Sequence, residues 1–351
     1  MAESKPSGTP TKGNLSEVVG LFLKLGVIGF GGPAAHIAMM RDETVTRRGW
    51  VSEQEFLDML GAASLIPGPS STELGIYLGY RRAGWRGLLA AGVCFILPAM
   101  LIVLALAWLY VQYGSTPAGE SLLYGIKPAV VAIVLQALWA LAKTAVKGRW
   151  YIAVGVAAAA MYVLGASPLA LLAAAGLLVA VVTNRGLFRQ AKFDKALAIL
   201  GVPAVMATAA SAPGVDLTRL FLIFLKMGAV VFGGGYVLLA FLRADLVVGQ
   251  HWLTDRQLLD AVAVGQFTPG PVFTTATFIG YVLSGVPGAI LATVGIFLPG
   301  FILIPVINVA MGSVKGSPWA RGFLDGVNVA ALGLMAGVSY QLARAAILDP
   351  I

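Results

Sequence analysis

The chain has 351 residues, 58% of them hydrophobic and 11% charged, against roughly one quarter charged in soluble domains; a soluble globular protein is excluded. The formal charge is +8, yet the Lys and Arg residues are scattered among short loops with no block and no interleaved aromatics, so nucleic acid is excluded as a partner. One cysteine, Cys94, and two histidines leave no disulfide framework, CxxC pair or zinc cage, and with no HExxH or GxSxG pattern the chain reads as a non-enzyme without a cofactor.

From the start, residues 1–16 are polar and read as a disordered cytoplasmic tail without an export signal. Apolar runs then recur at Gly87–Tyr110, Ala129–Ala142, Tyr151–Leu164, Leu169–Thr183, Phe221–Phe232, Ala289–Ala310 and Val327–Tyr340, several near the roughly 17 to 25 residues that cross a bilayer. The chain is also written twice. LKLGVIGFGG at Leu23–Gly32 meets LKMGAVVFGG at Leu225–Gly234, an offset of 202 residues that persists through Trp50 and Trp252, Asp58 and Asp260, and the PGP triplets at Pro67 and Pro269. One residue is then lost, so Pro98 pairs with Pro299 and Gly125 with Gly326. The expected organisation is a first transporter repeat over 17–146, additional spanning helices over 147–215, and a second repeat over 216–351.

Each copy carries backbone breaks. In LIPGPSSTELG, Leu65–Gly75, two prolines flanking a glycine end a helix. Ser52 is a plausible cap for Glu53–Leu65, and Ser70–Tyr80 restarts; in the second copy Thr254 caps Asp255–Phe267, and Val272–Tyr281 restarts. Pieces of about 10 to 14 residues are too short to span alone, so they read as re-entrant half-helices around a polar interior site. A helix start offers unpaired N–H groups and about half a positive charge, which suits an anion. The expected substrate-binding set here is Gly68, Ser70, Ser71 and Thr72, with Gly270, Thr274 and Thr275 in the second copy. FGGP and FGGG make a second break, adding Gly31, Gly32, Gly233 and Gly234, where glycine admits close backbone approach to a ligand or to another helix.

Lys24 and Lys226 recur two turns upstream of these glycines. A buried ammonium costs at least about 2.5 to 3.5 kcal/mol at the bilayer centre, which makes both functional candidates, and snorkelling to the interface is the other reading. Glu73, whose matched residue is Thr275, is expected either to bind a coupling proton or sodium ion or to stabilise its helix start. Asp58 and Asp260 read as solvated or packing groups. His36, matched by Leu238, reads as a local polar contact.

Loop charge sets orientation. RRAGWR, Arg81–Arg86, is basic while its partner VLSGVP is not, and the bias reverses between Gln112–Glu120 and Val309–Arg321. The repeats therefore read as inverted in topology, with Arg47 and Arg48 falling on the wrong side of that count. The expected fold class is an all-α polytopic membrane protein with two inverted repeats and broken half-helices at a central site, the architecture of secondary transporters.

On FGGP, its glycine-rich second copy, the paired PGP segments and the inverted halves, the sequence resembles the chromate transporter family in its two-domain, long-chain form, over nearly the whole chain. The resemblance implies a multi-pass protein of the bacterial inner membrane that exports chromate and confers resistance, coupled to an ion gradient as an antiporter. Sulfate has nearly the same shape and charge, so a sulfate or other oxyanion carrier and an anion channel stay open, as does a homodimer.

Overall fold

The structure, a computed structural model, describes residues 14–114, 116–117, 141–185, 215–232, 237–314 and 317–348, with isolated positions between 125 and 139. Every regular element among them is helical. In chain order they are α1 (Leu15–Ile28), α2 (Gly32–Arg41), α3 (Glu53–Ala63), α4 (Ser70–Tyr113), α5 (Arg149–Val163), α6 (Pro168–Thr183), α7 (Leu217–Val230), α8 (Leu238–Leu242), α9 (Asp255–Phe267), α10 (Thr275–Val314) and α11 (Pro318–Leu348). Wider π-helical turns, Asp42–Arg47 and Arg243–Gly249, continue α2 and α8. Ser70–Tyr113, Val272–Val309 and Pro318–Gln341 are long and apolar enough to cross a membrane, and the protein is an all-α membrane protein.

The duplication in the sequence recurs in local structure. Asn14 and Asp216 cap α1 and α7, accepting hydrogen bonds from Ser16 and Thr218 N–H at 3.2 and 3.0 Å. Ser52 with Glu55, and Thr254 with Gln257, form reciprocal capping boxes at the starts of α3 and α9, each satisfying donors that a helix start leaves open. Arg41 pairs with Glu53 at 2.7 Å and Arg243 with Asp255 at 2.8 Å.

Both longest helices fold back on themselves. Ala83 and Gly84 leave helical geometry inside α4, as do Ser284 and Gly285 inside α10, with φ of +61° at each glycine. A β-carbon on Gly79 would collide with the Gly87 carbonyl, and one on Gly280 with that of Gly288. Eight residues along a straight helix are about 12 Å apart. The chain therefore reverses at each kink and the arms pack backbone to backbone.

Arg82, just before the α4 kink, reaches Glu17 in the first turn of α1 at 2.8 Å. Its guanidinium lies 5.2 Å from the Trp50 ring centre, and that of Arg48 lies 5.5 Å away. The start of α1, the α2–α3 connection and the α4 kink thus gather at one end of the fold. Arg48 therefore stands on the same side as Arg82, both over Trp50, because the chain turns back after α1 and again after α3. Of the helices between the repeats, α5 and α6 pack on α11, with Gly155 against Gly333 and Gly176 against Gly326, small residues that let backbones approach.

Gly79→Leu and Gly280→Leu are expected to destabilise by at least about 1 to 3 kcal/mol, the cost of overpacking, read as loss of monodisperse protein after detergent extraction. Gly20→Leu, where a β-carbon meets nothing within 4 Å, should extract like the parent chain.

Candidate functional site

The two PGP segments are buried, and each contains a single backbone donor because proline has none. Gly68 N–H donates to the carbonyl of Val231, at the end of α7, over 2.7 Å; Gly270 N–H donates to that of Gly29, at the end of α1, over 2.7 Å. The bonds exchange under the 202-residue offset. Each triplet thus closes on the first break of the opposite copy, and the four breaks converge on one region. The glycines are required here: Gly68 and Gly270 have φ of +135° and +87°. A β-carbon at Gly270 would stand 2.6 Å from Ala99 Cβ, and one at Gly68 would meet Glu73 Oε1.

The α4 start is buried and polar. Thr72 and Glu73 N–H donate to the Pro69 carbonyl at 2.7 and 3.1 Å, so the N–H groups of Ser70 and Ser71 stand ahead of the helical ladder. Ser71, Thr72 and Glu73 are each 2% exposed or less. Among the described residues, neither Thr72 Oγ1 nor either Glu73 oxygen has a hydrogen-bond partner. Unsatisfied buried polar atoms are costly and scarce, and here two adjacent residues carry them. Glu73 also faces the other repeat, where a β-carbon on Gly300 would lie 3.4 Å from its Cγ.

His36 belongs to this region too. It is fully buried, its Nε2 lies 2.9 Å from the Gly29 carbonyl that also receives Gly270, and its Nδ1 lies 3.3 Å from Ser71 Oγ. The Phe95 ring meets the imidazole edge-on at 5.3 Å. Reading His36 as merely local missed this, because its partners lie at the ends of other helices. The signal available was its place four residues after the FGGP glycines, without a counterpart in the second copy.

The second copy offers different chemistry. Thr274 and Thr275 are buried, but each hydroxyl donates to a backbone carbonyl, Pro271 and Val272 respectively, at 2.8 Å. One proton per hydroxyl leaves none to give an anion in this conformation. In the first copy Gly31 caps α2 at φ +100° and is exposed, and Gly32 is partly buried. Gly233 and Gly234 lie outside the described residues.

The lysines are held within their own repeats. Lys24 Nζ meets Glu43 Oε1 at 2.6 Å, and Lys226 Nζ meets Asp245 Oδ2 at 2.5 Å. Glu43 also takes Arg47 at 3.4 Å and Arg48 at 3.1 Å. Lys24, hydrogen-bonded to it, holds the Glu43 carboxyl below its usual range against the opposing effect of burial, with Arg48 adding to the pull. These acids went unnoticed in the sequence, although the same offset pairs Glu43 with Asp245. Of the remaining matched acids, buried Asp260 accepts from Tyr110 at 3.0 Å and Asp58 from Gln54 at 3.1 Å.

A family model described as Chromate transporter matches residues 16–181 and 218–351. The chain is 36% identical to the chromate transport protein of Cupriavidus metallidurans over 340 residues, 95% of this chain and 84% of that one. It is 34% identical to the probable chromate transport protein of Synechococcus elongatus over 96% of this chain and 86% of that one, and 33% identical to the chromate transport protein of Pseudomonas aeruginosa over 92% and 80%. No solved structure matches.

Removing the hub of the ion cluster should cost more than removing one spoke. Glu43→Gln leaves Lys24, Arg47 and Arg48 without their shared carboxylate and is expected to lower the unfolding temperature by a few degrees, on the order of 1 to 3 kcal/mol. Lys24→Gln leaves Glu43 with Arg48 and should lower it less. Thermal unfolding of the detergent-solubilised protein ranks the two.

Proposed function

Because the chain belongs to the chromate transporter family, whose members are transport proteins and not enzymes, we propose that it exports chromate from the cytoplasm across a bacterial inner membrane and confers resistance. The mechanism is alternating access at the region where the four breaks meet. The observation that carries it is the reciprocal pair of hydrogen bonds, Gly68 to Val231 and Gly270 to Gly29, which joins the two repeats at their interrupted backbones.

Contacts between the copies support an inverted pairing. The α4 arm from Ser70 to the kink runs from the breaks toward the end that holds Glu17, Trp50 and Arg82. Along it, Gly300 of α10 lies beside Glu73, and Asn308 accepts a hydrogen bond from Tyr77 at 2.8 Å. From Gly300 to Asn308, α10 therefore heads toward that same end. Its own kink at Gly285 then belongs to the opposite end, as inverted-topology repeats require. The pieces on either side of each PGP, such as the 11-residue α3, act as half-helices, since about 17 residues are needed to span.

Chromate is a tetrahedral dianion, and the N–H groups of Ser70 and Ser71 at the positive end of α4 suit it. Lys24 and Lys226 act at a remove, holding Glu43 and Asp245 neutralised so that neither repels the anion. Glu73 is the coupling residue. A buried, unpaired carboxylate is tolerated in its neutral form, and an adjacent dianion favours neutralisation further, so Glu73 takes up a proton or a sodium ion as the anion binds. Export follows the membrane potential, worth about 2.3 kcal/mol per charge per 100 mV. With one cation bound at Glu73, the anion leaves a negative interior as a net single negative charge and gains that once.

Proteoliposomes loaded with labelled chromate test the reading. Release should rise when a potassium diffusion potential makes the interior negative, should show counterflow, and should be slowed by internal sulfate if the site reads shape and charge. Glu73→Gln is expected to keep potential-driven release and to lose most of its dependence on proton or sodium gradients. Absence of chromate flux would sink the reading; flux without counterflow would indicate a channel.

A further inference from the structure

The imidazole of His36 occupies a position that packing alone does not demand, since the matched residue in the second copy is Leu238, also buried. Both of its nitrogens are engaged. A carbonyl oxygen can only accept, so the nitrogen facing Gly29, Nε2, carries the proton, and in the neutral ring Nδ1 accepts from the Ser71 hydroxyl. In that state the Ser71 proton points at His36, and this hydroxyl offers the site only lone pairs, which repel an anion.

We propose that His36 is a proton-linked positioning residue for the oxyanion, switching the Ser71 hydroxyl between facing the imidazole and facing the substrate. One proton added at Nδ1 leaves the Nε2–H bond to Gly29 in place and makes Nδ1 a donor. Ser71 Oγ then accepts from it, and the hydroxyl hydrogen rotates toward the anion. The one bond formed is Nδ1–H, its proton drawn from water, and one proton is bound at His36 with each tetrahedral oxyanion. Because Gly29 also receives Gly270, the same ring sits on the bond that joins the repeats.

Of the ionisable groups on α4, Glu73 lies two residues beyond Ser71 and the thiol of Cys94 is next to Phe95, while Tyr77, Tyr80, Arg81, Arg82 and Arg86 stand farther along, Arg82 paired with Glu17 of α1. Lys24 on α1 is held by Glu43 in the turn after α2, and Arg41 on α2 by Glu53 on α3. The Gly270 segment of the second copy brings none at residues 268–271.

The inference rests on the oxyanion site proposed above, and the test separates the two. The full chain carrying Glu73→Gln, with His251→Gln to leave one imidazole signal, is labelled with 15N-histidine and titrated by NMR with and without saturating chromate. Chromate should raise the His36 midpoint by about one unit, equivalent to about tenfold tighter binding to the protonated ring, and Ser71→Ala should abolish the rise. In proteoliposomes of the parent chain, His36→Gln, which keeps a donor for Gly29, should flatten the pH dependence of the chromate KM. Bound chromate that leaves the midpoint unmoved, a rise that survives Ser71→Ala, or an unchanged pH profile in His36→Gln would each overturn the inference alone. Chromate that does not bind the parent chain would overturn the transport reading and this inference with it.

Discussion

A backbone N–H placed in hydrocarbon must find an acceptor, and the PGP triplets reduce that requirement to one donor each. Both donors are satisfied across the repeat boundary, Gly68 by Val231 and Gly270 by Gly29. Neither copy closes its own break, so the two halves depend on each other in the least tolerant part of the structure. The matched caps, ion pairs and kinks assemble each half locally, whereas these two bonds decide how the halves meet.

Within that twofold frame the polar chemistry is onefold. Glu73 is matched by Thr275, His36 by Leu238, and Gly300 stands where the first copy has Ala99. Ala99 packs directly on Gly270, while Glu73 fills the corresponding space between Gly68 and Gly300. At the first two of these matched positions the first copy holds the ionisable side chains and the second holds threonine and leucine. The threonines of the second copy donate to neighbouring carbonyls.

Much of the frame was legible in the chain. The PGP triplets marked helix ends, and Ser52 and Thr254 marked two caps, because these signals act within a few residues of themselves. Less visible was whatever depends on which ends meet. Lys24 and Lys226 drew attention as buried charges, but their acids follow 19 residues later, around a turn whose path the local sequence does not fix. His36 looked isolated because Gly29 and Ser71 reach it only after α1, α2 and α4 have packed. Arg48 defeated the loop count because breaks that reverse the chain look, in a hydropathy profile, like crossings.

The close approach of Gly79 to Gly87 leaves no gap in which one arm of α4 could slide over the other. The short arm therefore travels with the long one as a single stiff lever. Its inner tip is Ser70, and its outer tip, about 20 Å away by helical rise, is the turn that presents Trp85 at the surface, 61% exposed. A displacement of that turn is thereby carried to Ser70, so the backbone break beside Gly68 and the Trp85 turn move as one body.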